Sequence, residues 1–388
     1  MEIGILTQTL HNNYGGLLQN YALQQVLIRA GHIPCTIDHS RTHKRSRLHE
    51  LFRKVRAHVR HLLFPRRYKR PVYVASEYEE MIIAQQTRRF VDKYICRTKT
   101  IETHREFLEI ANTNKFHAYV VGSDQCWRPQ YNRSFLKEMF LSFVEKQDNI
   151  KRIAYAASFG KDEWNLPAET MSEYARLAKK FDLITVREES GMTLCKNHLG
   201  VVAQHVLDPT MLLSREDYIR LVNEENEPKS PGTLFYYIID PSEEKTQFVN
   251  NVTSQMRLVP FTVMAKHPRG YRTKDDIKNH IEECVYPSVT SWLRAYMDAE
   301  MTIVDSFHGM VFSIIFNLPF WVIGNKNRGM SRFTSLLKMF GLENRMISIS
   351  QLETVNLQAP IDWNRVNLLK EKLANNSVSL LYEALKED

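Results

Sequence analysis

The chain has 388 residues, 43% of them hydrophobic, with a formal net charge of +8, which is enough length and apolar content for two ordinary domains with cores of their own. No uninterrupted apolar run reaches the roughly 18 residues of a membrane-spanning helix, since the best candidate, 301–324, contains Asp305, His308 and Asn317. The five cysteines, at 35, 96, 126, 195 and 284, form no CxxC pair; they suit a reducing compartment and lead us to expect no metal site. The start MEIGILTQ has neither a basic n-region nor a long apolar h-region, so a cytoplasmic location is expected.

In chain order, a short apolar run predicts a strand over 2–7, followed by a loop with Gly15 and Gly16 and a helix over 17–30 that opens with Gln19 and Asn20. The glycines permit close backbone approach and the amides can hydrogen-bond sugar hydroxyls; neither GxGxxG nor GxxxxGK[ST] is present, so this is a weak phosphate loop. Between Arg41 and Arg70 twelve Lys or Arg stand against the single acid Glu50, a local excess of +11, which leaves the rest of the chain at +8 − 11 = −3. Leu48, Leu51, Phe52, Val55, Val59, Leu62 and Leu63 recur there at helical spacing, describing an amphipathic helix with a cationic face. Such a helix either packs on the body with a solvated basic face or lies at an anionic membrane surface; no nucleic-acid motif accompanies it.

A strand over 117–122 delivers Gly122-Ser123-Asp124-Gln125, where Asp124 is either a carboxylate placed to accept a proton from a hydroxyl or a turn residue and helix cap. Trp127 either stacks on a ring or fills the core. Further strands are predicted over 152–157, 183–187 and 201–206, with helices over 167–180 and 189–198. Arg187, at the end of one strand, either grips a carboxylate or phosphate through its planar fork or pairs with a neighbouring acid. Asp208-Pro209-Thr210 reads as a hinge.

A second series follows, with strands over 233–240, 258–264, 301–305 and 320–323. After Asp305 come Ser306, well placed to cap a helix, and His308, aimed at the N-terminus where free N–H groups favour an anion. Arg328 and Arg332 are within reach of that anion. Alternating strands and helices predict the α/β class, as two Rossmann-like domains over 1–207 and 208–388 facing across a cleft, with a final helix over 364–387 crossing back toward the first.

Several separated stretches in order, NNYGGLLQNYALQ, VVGSDQCW, RIAYAASFG, ITVREESG, VLDPTMLL, PSVTSWLRAYMDAE, DSFHG and FNLPFWVIGNKNRGMSRFTSLLKMFGL, resemble the polysaccharide pyruvyl transferase family. The resemblance implies a GT-B-like fold, phosphoenolpyruvate as co-substrate without a further cofactor, and a hexose acceptor such as galactose or an N-acetylhexosamine. It further implies ketalation of a lipid-linked capsular or exopolysaccharide precursor, expected on undecaprenyl diphosphate at the inner membrane face. On this reading His308 is the general acid and Asp124 the partner that accepts a hydroxyl proton. Arg187, Ser306, Gly309, Arg328 and Arg332 hold the donor. Gly15, Gly16, Gln19, Asn20, Ser123, Gln125 and Trp127 hold the acceptor. The family pattern often carries arginine beside the histidine, whereas this chain carries Ser306 and Phe307 there. The alternatives are a GT-B glycosyltransferase using a nucleotide sugar and a membrane-surface binding module without turnover.

Overall fold

A computed structural model describes residues 1–40, 56, 59, 75–113, 115–268, 272–324, 329–348, 351 and 355–386; Arg328 and the basic segment 41–70, apart from Arg56 and Val59, lie outside the described residues. Six strands, β1 (Glu2–Leu6), β2 (Ile33–Thr36), β3 (Ala118–Val121), β4 (Lys151–Ala157), β5 (Leu183–Val186) and β6 (Gln204–His205), form one sheet. They lie in the order β2-β1-β3-β4-β5-β6, every pair parallel. Five more, β7 (Leu234–Tyr237), β8 (Pro260–Phe261), β9 (Met301–Val304), β10 (Phe320–Ile323) and β11 (Met346–Ile347), form a second parallel sheet in the order β11-β10-β9-β7-β8. Ala118–Val121 and Met301–Val304 are buried along their whole length, as apolar runs covered by helices on both sides require.

Numbered from its own first strand, each sheet runs 2-1-3-4-5, with one more strand in the first. In that order the connection reverses between strands one and three, and the crevice beyond their carboxyl ends is where ligands bind. The two crevices lie beyond β1 and β3 and beyond β7 and β9, and the two α/β halves face each other across them in a GT-B-like arrangement. The predicted strands all form, with shorter bounds for several. Unpredicted are β2, β11 and the helices of 75–112, for which no motif offered a guide.

The halves share apolar packing. Tyr14, at the start of helix α1 (Tyr14–Arg29), stacks on Trp292 at 5.7 Å between centroids and donates its hydroxyl to the Pro287 carbonyl at 3.1 Å. The last helix, Trp363–Leu385, returns across the first half as expected: Leu207 N–H donates to Ser377 Oγ and Tyr382 donates to the Val26 carbonyl. Its Leu381 and Leu385 are buried. Among the described residues no helix is long and apolar enough to cross a membrane.

Candidate active site

Both crevices open into one cleft of about 320 Å³. From the second half, the strand β9 ends at Val304 and the chain turns through Asp305 and Ser306 into the helix Phe307–Ile315. Buried Asp305 fixes that turn by accepting from the amides of Ile239 and Asp240 and from Lys245 Nζ at 2.7 Å. Ser306 caps the helix, its Oγ accepting from Gly309 N–H at 2.9 Å. The Gly309 amide is therefore occupied, and a side chain there would collide with Ser306 Oγ. Helix geometry leaves the amides of Phe307 and His308 without intrahelical acceptors at the positive end of the dipole.

His308 lines the cleft and meets the first half directly. A Cβ built at Gly15 would lie 2.5 Å from His308 Cβ and closer still to Nδ1 and Cγ, so only glycine at the start of α1 admits the imidazole. On its other side Nε2 stands 3.6 Å from Asp208 Oδ2. That is ion-pair range but too long for a hydrogen bond, and Nε2 has no hydrogen-bond partner.

Asp208 is the residue that the hinge reading missed. It is fully buried; Oδ1 accepts from the amide and hydroxyl of Thr210, and Oδ2 accepts from Ser123 Oγ at 3.0 Å and Arg187 Nη1 at 2.8 Å. The other arm of Arg187 donates to Asp124 Oδ1 at 2.7 Å. Arg187 thus joins the loops after β3 and β6, lies beneath the cleft rather than on its wall, and pairs with two carboxylates distant in sequence. Burial alone would lift both acids. The charges of Arg187, His308 and Arg332 outweigh it at Asp124, and those of His308 and Arg187 outweigh it at Asp208, holding each below the usual carboxylate range. Burial lifts the adjacent Glu188, only partly offset by Arg187 and Arg332.

Arg332, in the helix Ser331–Phe340, reaches the same place from the second half and is buried at the cleft wall. Burial, reinforced by the like charge of Arg187, brings its guanidinium down to about 10. Both approach the Phe307 ring, the Arg187 guanidinium at 4.6 Å and that of Arg332 at 5.8 Å from its centroid. Where the resemblance leads one to expect arginine beside the histidine, this chain places an aromatic ring within cation–π range of two arginines.

Of the expected residues, Gly15, Asp124, Gln125, Ser306, His308 and Arg332 line the cleft. Gln19 and Ser123 are buried behind it: Ser123 N–H donates to Gln19 Oε1, and Gln19 Nε2 donates to Thr7 Oγ1. Asn20 is buried and accepts from Thr36 Oγ1. Gly16 packs against Asn13. Trp127 is a core residue that stacks on Phe140 at 4.8 Å and donates Nε1–H to the Met139 carbonyl, so it presents no face to a ligand. Sequence reasoning missed Gln8, His11, Asn12, Tyr131 and Tyr237, which line the cleft; the loop after β1 and the end of β7, at the two switch points, were the signal. Among the described residues, no group of three or more His, Cys, Asp or Glu is placed to hold a metal ion.

The model of the family described as polysaccharide pyruvyl transferase matches residues 13–327. No curated protein sequence matches the chain. Among solved structures, the chain is similar to UGT89C1 of Arabidopsis thaliana complexed with UDP-L-rhamnose, with 9% identity, a TM-score of 0.49 and 98% of each chain covered. It is similar to the UDP-GlcNAc 2-epimerase of Neisseria meningitidis bound to UDP-GlcNAc, with 8% identity, a TM-score of 0.48 and 99% of each covered. A third is the UDP-GlcNAc 2-epimerase of Methanocaldococcus jannaschii, with 11% identity, a TM-score of 0.44, and 97% of this chain and 93% of that one covered.

Proposed function

The chain belongs to the polysaccharide pyruvyl transferase family, and from that premise we propose that it transfers the pyruvyl group of phosphoenolpyruvate to two hydroxyls of a hexose. The observation that carries the reading is the meeting of His308, Arg332 and a capped helix N-terminus with Asp124 of the other half in one cleft. The free amides of Phe307 and His308 and the Arg332 guanidinium suit a phosphate or carboxylate, and an anion there would relieve the repulsion between Arg332 and Arg187.

The chemistry proceeds as follows. The His308 imidazole, acting in its protonated form, gives a proton to C3 of the enol, whose double-bond electrons form the new C–H bond and leave C2 electrophilic. A sugar hydroxyl adds to C2 and passes its proton to Asp124. A carboxylate held low is a weak base, which suffices for a hydroxyl that becomes acidic as it bonds to a cationic carbon. The C2–O bond to phosphate then breaks with its electron pair on the leaving group, aided by Arg332 and the helix amides. The second hydroxyl closes the ketal and returns a proton to His308, while the proton on Asp124 leaves with phosphate. Asp208, 3.6 Å from Nε2, supports the charged form of the ring from beneath the cleft.

The acceptor we propose is a galactose or N-acetylhexosamine in a lipid-linked surface-polysaccharide precursor. The +11 excess of 41–70 supports a site of action on the cytoplasmic face of an anionic membrane. The test is incubation of the purified chain with phosphoenolpyruvate and a panel of lipid-linked and synthetic glycosides. Acceptor-dependent phosphate release with a pyruvate ketal found by mass spectrometry supports the reading. Release of nucleoside diphosphate from a sugar nucleotide, with no ketal from any galactoside or N-acetylhexosaminide, would replace it.

A further inference from the structure

A second, larger cavity of about 630 Å³ lies beside the cleft, and Tyr286 forms part of the wall of both. It follows the helix Gln85–Tyr94 from one end to the other, about 14 Å at 1.5 Å per residue, and the rest of its wall comes from Glu225 and Glu227, just after the helix Arg215–Glu224, and from residues of 282–291. The lining charge is lopsided: Glu225, Glu227 and Glu282 stand against Arg89 alone. Glu225 is occupied, accepting from Arg89 and Lys93 and from the Tyr94 hydroxyl. Glu227 accepts from the hydroxyls of Ser288 and Thr290 through Oε1, and no bond to its second oxygen is seen. Gln85 and Gln86 bring side-chain amides to the near end.

An excess of carboxylates repels phosphate and carboxylate ligands, so phosphoenolpyruvate and a diphosphate lipid head are both disfavoured here. Half-buried Gln86, Glu225 and Glu227 and exposed Gln85 and Glu282, with tyrosine rings at both ends, instead fit a ligand that offers many hydroxyl donors and no charge. We propose that this basin binds the neutral sugar residues next to the hexose that is ketalated, so that the enzyme reads an oligosaccharide rather than a single ring. This rests on the pyruvyl transfer reading, because it is the cleft beyond Tyr286 that makes the bound chain an acceptor.

The test is binding, measured by saturation-transfer NMR and isothermal titration with neutral tetrasaccharides containing galactose or N-acetylglucosamine, against phosphoenolpyruvate as a separate ligand. Gln86→Ala and Glu282→Ala remove groups that sit on the rim and carry no structural bonds seen here, so folding is preserved. At least one tetrasaccharide is expected to bind the wild type and to bind each variant about fivefold more weakly, the loss of roughly one hydrogen bond. Phosphoenolpyruvate affinity stays unchanged. Equal tetrasaccharide binding in variants and wild type, or binding of none, overturns the proposal. Failure of phosphoenolpyruvate to bind the wild type strikes the catalytic reading instead, and the two failures are separate.

Discussion

The two sheets carry the same strand order but bring unlike things to their shared cleft. The first half ends its strands in loops that hold Arg187 between Asp124 and Asp208, an arrangement closed on itself and one negative charge in excess. The second half ends β9 in a capped helix and contributes the His308 imidazole and the Arg332 guanidinium, which approach this network. The same topology therefore provides an anionic floor on one side and a capped helix terminus with Arg332 on the other, and the cleft is lined by both halves.

The strongest test of that division acts on the helix terminus. His308→Gln is expected to lower ketal formation by about 10²–10⁴-fold, the range for a general acid, with a urea unfolding midpoint close to wild type. A variant as active as wild type would remove His308 from the chemistry. On the floor, Asp208→Ala leaves the Arg187 guanidinium buried with one carboxylate, and a loss of about 3–5 kcal/mol in urea unfolding is expected; an unchanged midpoint would show that the network is not the floor's support.

Acid should act on the floor as well. The Asp124 and Asp208 carboxyls lie below their ordinary value when folded, so their contribution to stability is fully present above the unfolded value of about 3.9 and disappears as pH falls from there through the folded values. Stability measured down this range should fall less steeply in Asp208→Asn than in wild type. An equal slope would place the acid sensitivity elsewhere.

The contact between the halves can be broken with one methyl group. Gly15→Ala drives a Cβ into the imidazole, and overpacking of this kind costs about 1–3 kcal/mol; His308 must leave its place, so activity falls alongside stability. The smallest effect is expected from Ser306→Ala, which removes the cap on Gly309 N–H at about 1 kcal/mol, read in the thermal midpoint. In this variant the donor affinity should weaken as the helix terminus frays.

Strand-ending loops were readable from sequence because a buried parallel strand is a short apolar run and a polar residue after it has nowhere to go but the crevice. Ser306 and His308 were found on that logic, and the cap forms as expected. Asp208 was not, because an aspartate before proline satisfies a local reading as a turn, while its partners Arg187, Ser123 and His308 lie 21, 85 and 100 positions away. Trp127 went astray for a related reason. Its loop leads back under the sheet, and only the packing against Phe140 distinguishes a core ring from a platform. The lining contributed by Asn12, Tyr131 and Tyr237 depends on how the halves meet, which no local pattern encodes.

The central claim is that one phosphorylated three-carbon anion bridges the two switch points, and a crystal structure with phosphoenolpyruvate tests it most directly. The account predicts the anion against Arg332 and the amides of Phe307 and His308, with C3 facing the His308 imidazole and C2 open toward Asp124. Phosphoenolpyruvate bound away from the His308 helix, or held by one half with the other apart, would contradict it.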